Sequence, residues 1–376
     1  MPQTMFDDEE GTLGMLRESV ASFAEQNPGA KALRARRAAE TDLDADLWRG
    51  MAEAGWLGLL LPEELGGSGL GLAEQAVLSE TLGRSLLTEP LAQLVVFSSV
   101  LLKRVAESNA RTALANGIAD GSRIVSPVWQ GSDAELSDVS AEPRPDGGYA
   151  LSGSYHFVSA PHSATDFLAI ATSPDGLILV TIDATAGGIS VTARPTVDGS
   201  RLGHMTLKDV VVSASQVLAK GSAVQAALDE AIEVTRFALA AELAGIASRA
   251  LEIAVAYTRD RVQFGKPIAS FQAVQHRLVD MWGDAEFACA AVVNAAEAAR
   301  DETAHATSLA ILAAKARAGD AAVSVTRRAV HLHGAMGFTD ECDIGLYLKR
   351  AINLNATLGQ PEVLRLQFVA LERAAA

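Results

Sequence analysis

The chain has 376 residues, 31 basic against 46 acidic side chains for a net charge of −15, and 49% hydrophobic but only 5% aromatic residues. That length exceeds what one core usually holds, so two or three domains are expected, and an Ala- and Leu-rich composition favours helix over sheet. The negative balance disfavours nucleic acid or an anionic membrane as partner, so a phosphate-bearing ligand needs a local site.

The acidic start, MPQTMFDDEE, lacks the basic residues and apolar run of a targeting signal. Helical spacing then predicts helices over residues 13–26, 44–54, 72–82, 90–106 and 109–118. The most apolar run, 91–102, is shorter than the ~18 residues of a membrane span and holds Gln93 and two serines, so it reads as a buried helix. Residues 61–72, LPEELGGSGLGL, lack the Gly-x-Gly-x-x-Gly order of a phosphate loop and read as a flexible connection. From Ser122 the texture turns to short β-rich runs at 124–129, 149–151, 155–159, 167–172, 177–182, 189–192 and 204–212, which implies a β-barrel or sandwich of roughly ninety residues. Helical character resumes at Ala223 and lasts to the end, with breaks near Gly265, Glu302 and Gly334. The expected domains are 1–121 (helical), 122–217 (β) and 218–376 (a helical bundle). Two cysteines, Cys289 and Cys342, lie far apart without metal-ligand spacing and fit a reducing cytoplasm.

The most informative stretch is RDRVQFGKPIASFQAVQHRLVDMW, residues 259–282. A long helix, about 228–263, is broken by Gly265 and Pro267. Phe271, Val274, Leu278 and Met281 then restart an apolar stripe, so a second helix turns back with Arg261, Gln263, Phe264 and Gln272 at the bend. A guanidinium can fork two hydrogen bonds onto a pyrophosphate while a flat aromatic packs on a ring. Taken singly, Arg261 reads as a partner of an acid and Phe264 as core.

The full spacing Arg-x-x-Phe-Gly-x-Pro-Ile-x-x-Phe-Gln resembles the flavin-binding signature of the acyl-CoA dehydrogenase family, and helices, then a β-domain, then a helical bundle is that family's architecture. The resemblance implies FAD as cofactor, an acyl-CoA substrate, an electron-transfer flavoprotein as acceptor, and a homo- or hetero-oligomer. It makes Arg261 and Phe264 contacts to the diphosphate and ring system of a neighbouring subunit's cofactor, with Gln272 a further contact there. HLHGAMGF, residues 331–338, resembles the Gln-x-His-Gly-Gly-x-Gly-Phe segment, with His331 where Gln is common and Ala335 where Gly is common; His333, Gly334 and Gly337 are its cofactor-approach positions. In Tyr155-His-Phe-Val-Ser159, Phe157 takes a Trp position and Ser159 a Thr position against the flavin, where a hydroxyl can hydrogen-bond N5. Residues 126–133 match a third segment only at Gly131, Ser132 and Asp133, which makes Ser126 a cofactor candidate and Ser132 a substrate candidate.

The family reaction needs a general base to take the proton alpha to the thioester. The usual Glu position is Leu358, within Thr357-Leu358-Gly359-Gln360, and a minority position on the preceding helix is Thr235; neither side chain accepts a proton. Glu233 lies roughly 200° around that helix from Thr235, and Glu242 shares its face about 10 Å further along. Glu242 sits in an apolar stretch, either as a base or as a buried carboxylate paired with an arginine or amide. Two readings stand. One is an FAD-dependent dehydrogenase of acyl-CoA thioesters; the other is a non-catalytic subunit of a hetero-oligomer, like the small subunits of two-component enzymes acting on dicarboxylyl, aromatic or steroid side-chain acyl-CoAs.

Overall fold

Each predicted helix of the first 120 residues is present in the structure, a computed structural model that describes residues 1–9 and 11–375. They are α1 (Thr12–Gln26), α3 (Ala45–Glu53), α4 (Leu72–Ser85), α5 (Phe97–Arg104), entered through a wider π turn at Ala92–Val96, and α6 (Asn109–Ala119). One further helix, α2 (Gly29–Ala39), was not expected. Asp44 starts α3 by accepting from the amides of Asp46 and Leu47, and Ser108 does the same for α6 at Arg111, which satisfies first-turn donors the helices cannot bond themselves.

The chain forms two compact units: Met1–Ala35, Leu72–Thr88 and Arg236–Ala376 in one, Arg36–Gly71 and Glu89–Thr235 in the other. The second holds the strands β1 (Val125–Val128), β2 (Ser140–Pro143), β3 (Tyr149–Ser159), β4 (Asp166–Ser173), β5 (Gly176–Asp183), β6 (Ile189–Pro195), β7 (Arg201–Val212) and β8 (Val217–Lys220). They pair in the order β6-β7-β3-β2-β4-β5-β8, with β1 also beside β4; the β1–β4 and β2–β4 pairs are parallel and the others antiparallel. Inward residues of six strands, among them Leu151, Tyr155, Phe167, Val180, Met205 and Leu207, meet in one core, and the buried Tyr155 hydroxyl is satisfied by donating to Ile170 O at 2.8 Å.

Three expectations are corrected here. The runs 149–151 and 155–159 are one strand, passing through Gly153 at φ 136°, where a Cβ would stand 2.9 Å from Val139 Cα. The strands β2 and β8 had no counterpart in the sequence pattern. The connection 61–72 is fixed rather than flexible: amides of Gly67, Ser68, Gly69 and Leu70 donate to carbonyls of Pro62, Gly58, Leu61 and Leu59, and a Cβ on Gly67 would fall 2.0 Å from Leu61 O.

In the first unit, α7 (Ser222–Asp260) contributes its part from Arg236 onward, followed by α8 (Gln272–Asp301), α9 (Ala304–His333), α10 (Ile344–Ala356) and α11 (Pro361–Ala375). Helices α4 and α7 cross through a reciprocal glycine contact. A Cβ on Gly83 would sit 2.3 Å from Glu242 O, and one on Gly245 would sit 2.0 Å from Glu80 O. Beside this crossing the fully buried Glu80 carboxylate accepts from Arg17 at 3.2 Å, from the Thr4 amide at 3.3 Å and from the Thr4 hydroxyl, which ties the start of the chain to α4.

Candidate cofactor and acyl sites

The bend of the signature stretch is a strand hairpin rather than a simple helix break. Helix α7 ends at Asp260, three residues earlier than expected; Val262–Gln263 (β9) pairs antiparallel with Lys266–Pro267 (β10), which leaves Phe264 and Gly265 as a two-residue loop. Both have positive φ, 53° and 77°, as a type I′ turn demands of its central pair. Glycine takes that conformation freely, whereas for phenylalanine it costs about 1–2 kcal/mol. The turn thrusts Phe264 into solvent at 90% exposure, braced edge-on by Phe271 at 6.1 Å, while the Lys266 ammonium lies 4.5 Å over the Phe271 ring. Arg261 and Gln272 are exposed on either side, and among the described residues the Arg261 guanidinium engages no other side chain. A free fork-shaped cation and a bare ring on one rigid turn form a donor set suited to a diphosphate and a flat heterocycle. Val262 on the hairpin, Val279, Trp282 and Phe287 along α8, and Phe338 are further large apolar side chains left exposed.

The second segment lies at the end of α9. His333 is buried; its ring stacks on Tyr257 at 4.1 Å and its Nδ1 lies 2.7 Å from Ala329 O, while the Tyr257 hydroxyl donates to His333 O at 3.2 Å. The imidazole therefore anchors the turn from within. Gly334 follows at φ 62° and ψ −138°, a conformation reserved for glycine, and space is open at its Cβ position. Gly337 answers to its own chain, since a Cβ there would meet Val330 O at 2.5 Å. Arg277 Nη1 lies 2.8 Å from His331 Nδ1, and Arg34 holds the end of the segment through Asp343 Oδ1 at 2.7 Å and Asp340 O.

In the second unit, β3 carries a bulge where its register with β7 shifts between Tyr155 and Val158. His156 and Phe157 together face the single residue His204; the two imidazoles lie 4.3 Å apart, and Phe157, at φ 58°, is turned outward and exposed. Ser126 on β1 is fully buried and donates to Ser159 O at 2.7 Å, so these two predicted residues meet. Ser132 is exposed on a small hairpin whose Gln130 O accepts from the His156 amide at 2.8 Å.

Neither expected base position holds a proton acceptor. Leu358 is in a left-handed conformation, φ 55°, before Gly359 at 114°, and Arg236 Nε donates to its carbonyl at 2.8 Å. Thr235 is fully buried, and its hydroxyl has no hydrogen-bond partner among the described residues. The Glu242 carboxylate is engaged by Arg350 through Nε at 2.8 Å and Nη2 at 2.7 Å, both side chains being buried.

Family models for the acyl-CoA dehydrogenase N-terminal domain and C-terminal domain match residues 11–121 and 225–370. The acyl-CoA dehydrogenase IpdE2 of Mycolicibacterium smegmatis is 33% identical over 350 residues, 92% of this chain and 94% of that protein. The chain belongs to the acyl-CoA dehydrogenase family. Similar solved structures include a Tcur3481-Tcur3483 steroid ACAD variant, with a TM-score of 0.85 and 33% identity over 97% of this chain and 99% of that one. The ChsE4-ChsE5 complex of Mycobacterium tuberculosis gives 0.89 and 26% over 100% and 99%.

Within this family member the predicted residues fall into local sets: Arg261, Phe264 and Gln272 at one hairpin; His333, Gly334 and Gly337 on another turn; Ser126 with Ser159 beside the Phe157 bulge. Sequence reasoning missed Lys315, Arg236 and Arg350. Lys315 is buried and reaches backbone carbonyls of residues 355 and 359, Arg236 reaches that of Leu358, and Arg350 closes on Glu242.

Proposed function

We propose that this chain is an FAD-binding subunit acting in the α,β-dehydrogenation of an acyl-CoA thioester, with electrons passing to an electron-transfer flavoprotein. The observation that carries the reading is the type I′ hairpin, which bears a guanidinium that engages no other side chain among the described residues and a solvent-exposed aromatic in a costly conformation. Arg261 would hold the diphosphate of a neighbouring subunit's cofactor, with Phe264 against its rings and Gln272 at the same contact; Gly334 would admit the backbone approach that His333 and Gly337 shape. Phe157, Ser159 and Ser126 would line a flavin ring, with Ser132 toward the substrate. FAD, when bound, supplies the hydride acceptor. The apolar surface beside the turn fits an oligomer, as that cofactor arrangement requires.

A second reading is favoured by the absence of a base at Leu358 and Thr235 together with the engagement of Glu242 by Arg350. In it the chain completes flavin sites in a hetero-oligomer while a related chain supplies the carboxylate. Two of the similar solved structures carry names of two-component assemblies, which fits this arrangement.

The test is retention of FAD by Arg261→Ala. With flavin in excess, wild-type protein should purify yellow, and the variant should lose most of its flavin while its melting temperature without added flavin stays within about a degree. Colourless wild type, indistinguishable from Arg261→Ala, would refute the assignment. Titrating the wild type with an acyl-CoA panel then separates the two readings: flavin bleaching by the isolated chain favours the first, and bleaching only after addition of a related chain favours the second.

A further inference from the structure

Lys315 lies in the middle of α9 with 0% of its surface exposed. Its ammonium donates to Asn355 O at 3.3 Å, in the last turn of α10, and to Gly359 O at 3.4 Å, in the turn that follows. Arg236 grips the same turn through Leu358 O at 2.8 Å. The segment they hold is a strained one, since Leu358 has φ 55° and Gly359 φ 114°, and a left-handed non-glycine residue persists only where its surroundings over-determine it. Its packing is equally specific: a Cβ on Gly319, one turn beyond Lys315 on α9, would lie 2.1 Å from the Asn355 side chain, and one on Gly359 would lie 2.7 Å from Leu364 Cδ2. Burying an ammonium among apolar helices opposes folding, and burial together with the Arg236 charge lowers Lys315 to about 7. A methionine would occupy much the same volume without that cost. The ammonium is therefore explained by the turn it holds rather than by the bundle it occupies.

We propose that Lys315 is a positioning residue which, with Arg236, locks the 357–360 turn so that Leu358 is presented in one fixed direction as an apolar wall of the acyl site. The locking stands on the hydrogen bonds alone; what Leu358 faces rests on the acyl-CoA dehydrogenase reading above. A carbonyl turn held by donors from the Lys315 amino group and the Arg236 guanidinium resists sliding to accommodate a ligand, so the shape at position 358 discriminates among acyl groups.

The test uses the full-length protein purified with FAD, as wild type, Lys315→Met, which removes the donor, and Lys315→Gln, which keeps one at slightly shorter reach. Hydrogen exchange of the amides of residues 357–360 is read first, then the ratio of dissociation constants for octanoyl-CoA and butyryl-CoA from their perturbation of the flavin spectrum. In Lys315→Met the turn amides should exchange at least tenfold faster while the rest of the bundle keeps its protection, and the octanoyl-to-butyryl ratio should move at least threefold. Lys315→Gln should recover part of both. If Lys315→Met does not fold, Lys315→Gln must show the same local loosening in smaller measure. Unchanged exchange at 357–360 in a folded variant overturns the locking, and an unchanged ratio with loosened exchange overturns the wall. Wild type that holds no flavin and responds to neither thioester fails the acyl-CoA reading instead, and with it the wall, while exchange still decides the locking.

Discussion

Replacing Gly245 by alanine sets two well-established tendencies against each other. By helix propensity alone the change in the middle of α7 should stabilise the protein by about 1 kcal/mol. The crossing with α4 argues the reverse: the new Cβ would lie 2.0 Å from Glu80 O, 2.9 Å from Glu80 C and 3.1 Å from Arg84 N. Carbon–oxygen contacts settle near ~3.3 Å, so the two helices would have to part by ~1.3 Å at that point. Every atom in the way belongs to backbone, and the partner glycine, Gly83, is fitted just as closely under Glu242 O, so no rotamer change can absorb the strain. Overpacking of this kind costs about 1–3 kcal/mol or more. With only backbone in the way the cost lies at the upper end of that range, about 3 kcal/mol, so after the propensity gain of about 1 kcal/mol Gly245→Ala should be destabilising by roughly 2 kcal/mol, seen as a melting temperature several degrees lower and an earlier denaturant midpoint at unchanged slope. A variant that melts at or above wild type would refute the close crossing.

Phe264→Gly should relieve the left-handed backbone at the turn and leave stability equal or up to ~1 kcal/mol higher, yet weaken FAD retention; a less stable variant would count against the strain, and one that keeps its flavin would count against the contact. Glu242→Gln removes one partner of a buried ion pair and should destabilise on the order of 3 kcal/mol by chemical denaturation. If it instead melts like wild type and loses thioester-driven flavin reduction with FAD still bound, Glu242 is the base after all. Lys315 supplies a pH signature: with its folded value near 7 against an ordinary 10.5, the unfolded chain binds more protons between those limits. Stability should therefore rise with pH from about 7 to 10, by a few kcal/mol from this group, and lie at its lower plateau below pH 7. Melting curves at pH 6.5 and 9 should show that rise in wild type and its loss in Lys315→Met.

Long apolar periodicities were legible because they are local: α1, α4, α6 and the α7–α8 pair each write their buried face into the sequence. Helix α2 was not, since GAKALRARRAA offers little beyond Leu33 as an apolar anchor, and its buried Arg36 pairs with Glu89 at 3.1 Å, 53 residues away. The strands β2 and β8 exist because neighbours pair with them; Ser140-Ala-Glu-Pro143 has no strand pattern of its own. The turn at 264–265 was recognisable as a bend from Gly265 and Pro267, but its I′ geometry depends on the register of Gln263 with Lys266. Lys315 was invisible for a sharper reason. A lysine in an alanine-rich helix ordinarily reaches solvent along its flexible stem, and only carbonyls some forty residues further on give this one an internal partner.

If a second subunit covers the exposed apolar residues Val262, Phe264, Val279, Trp282, Phe287 and Phe338, as the proposed cofactor arrangement requires, the folding equilibrium of this protein becomes a matter of mass action. A subunit that hides such a surface only on assembly gains stability in proportion to the logarithm of its partner's concentration. On that reading a melting temperature is a property of a solution rather than of a chain, and it should climb as the protein is concentrated. A mixed assembly would climb further when its second chain is titrated in, so a dilution series of simple melts counts the kinds of subunit before any activity is known.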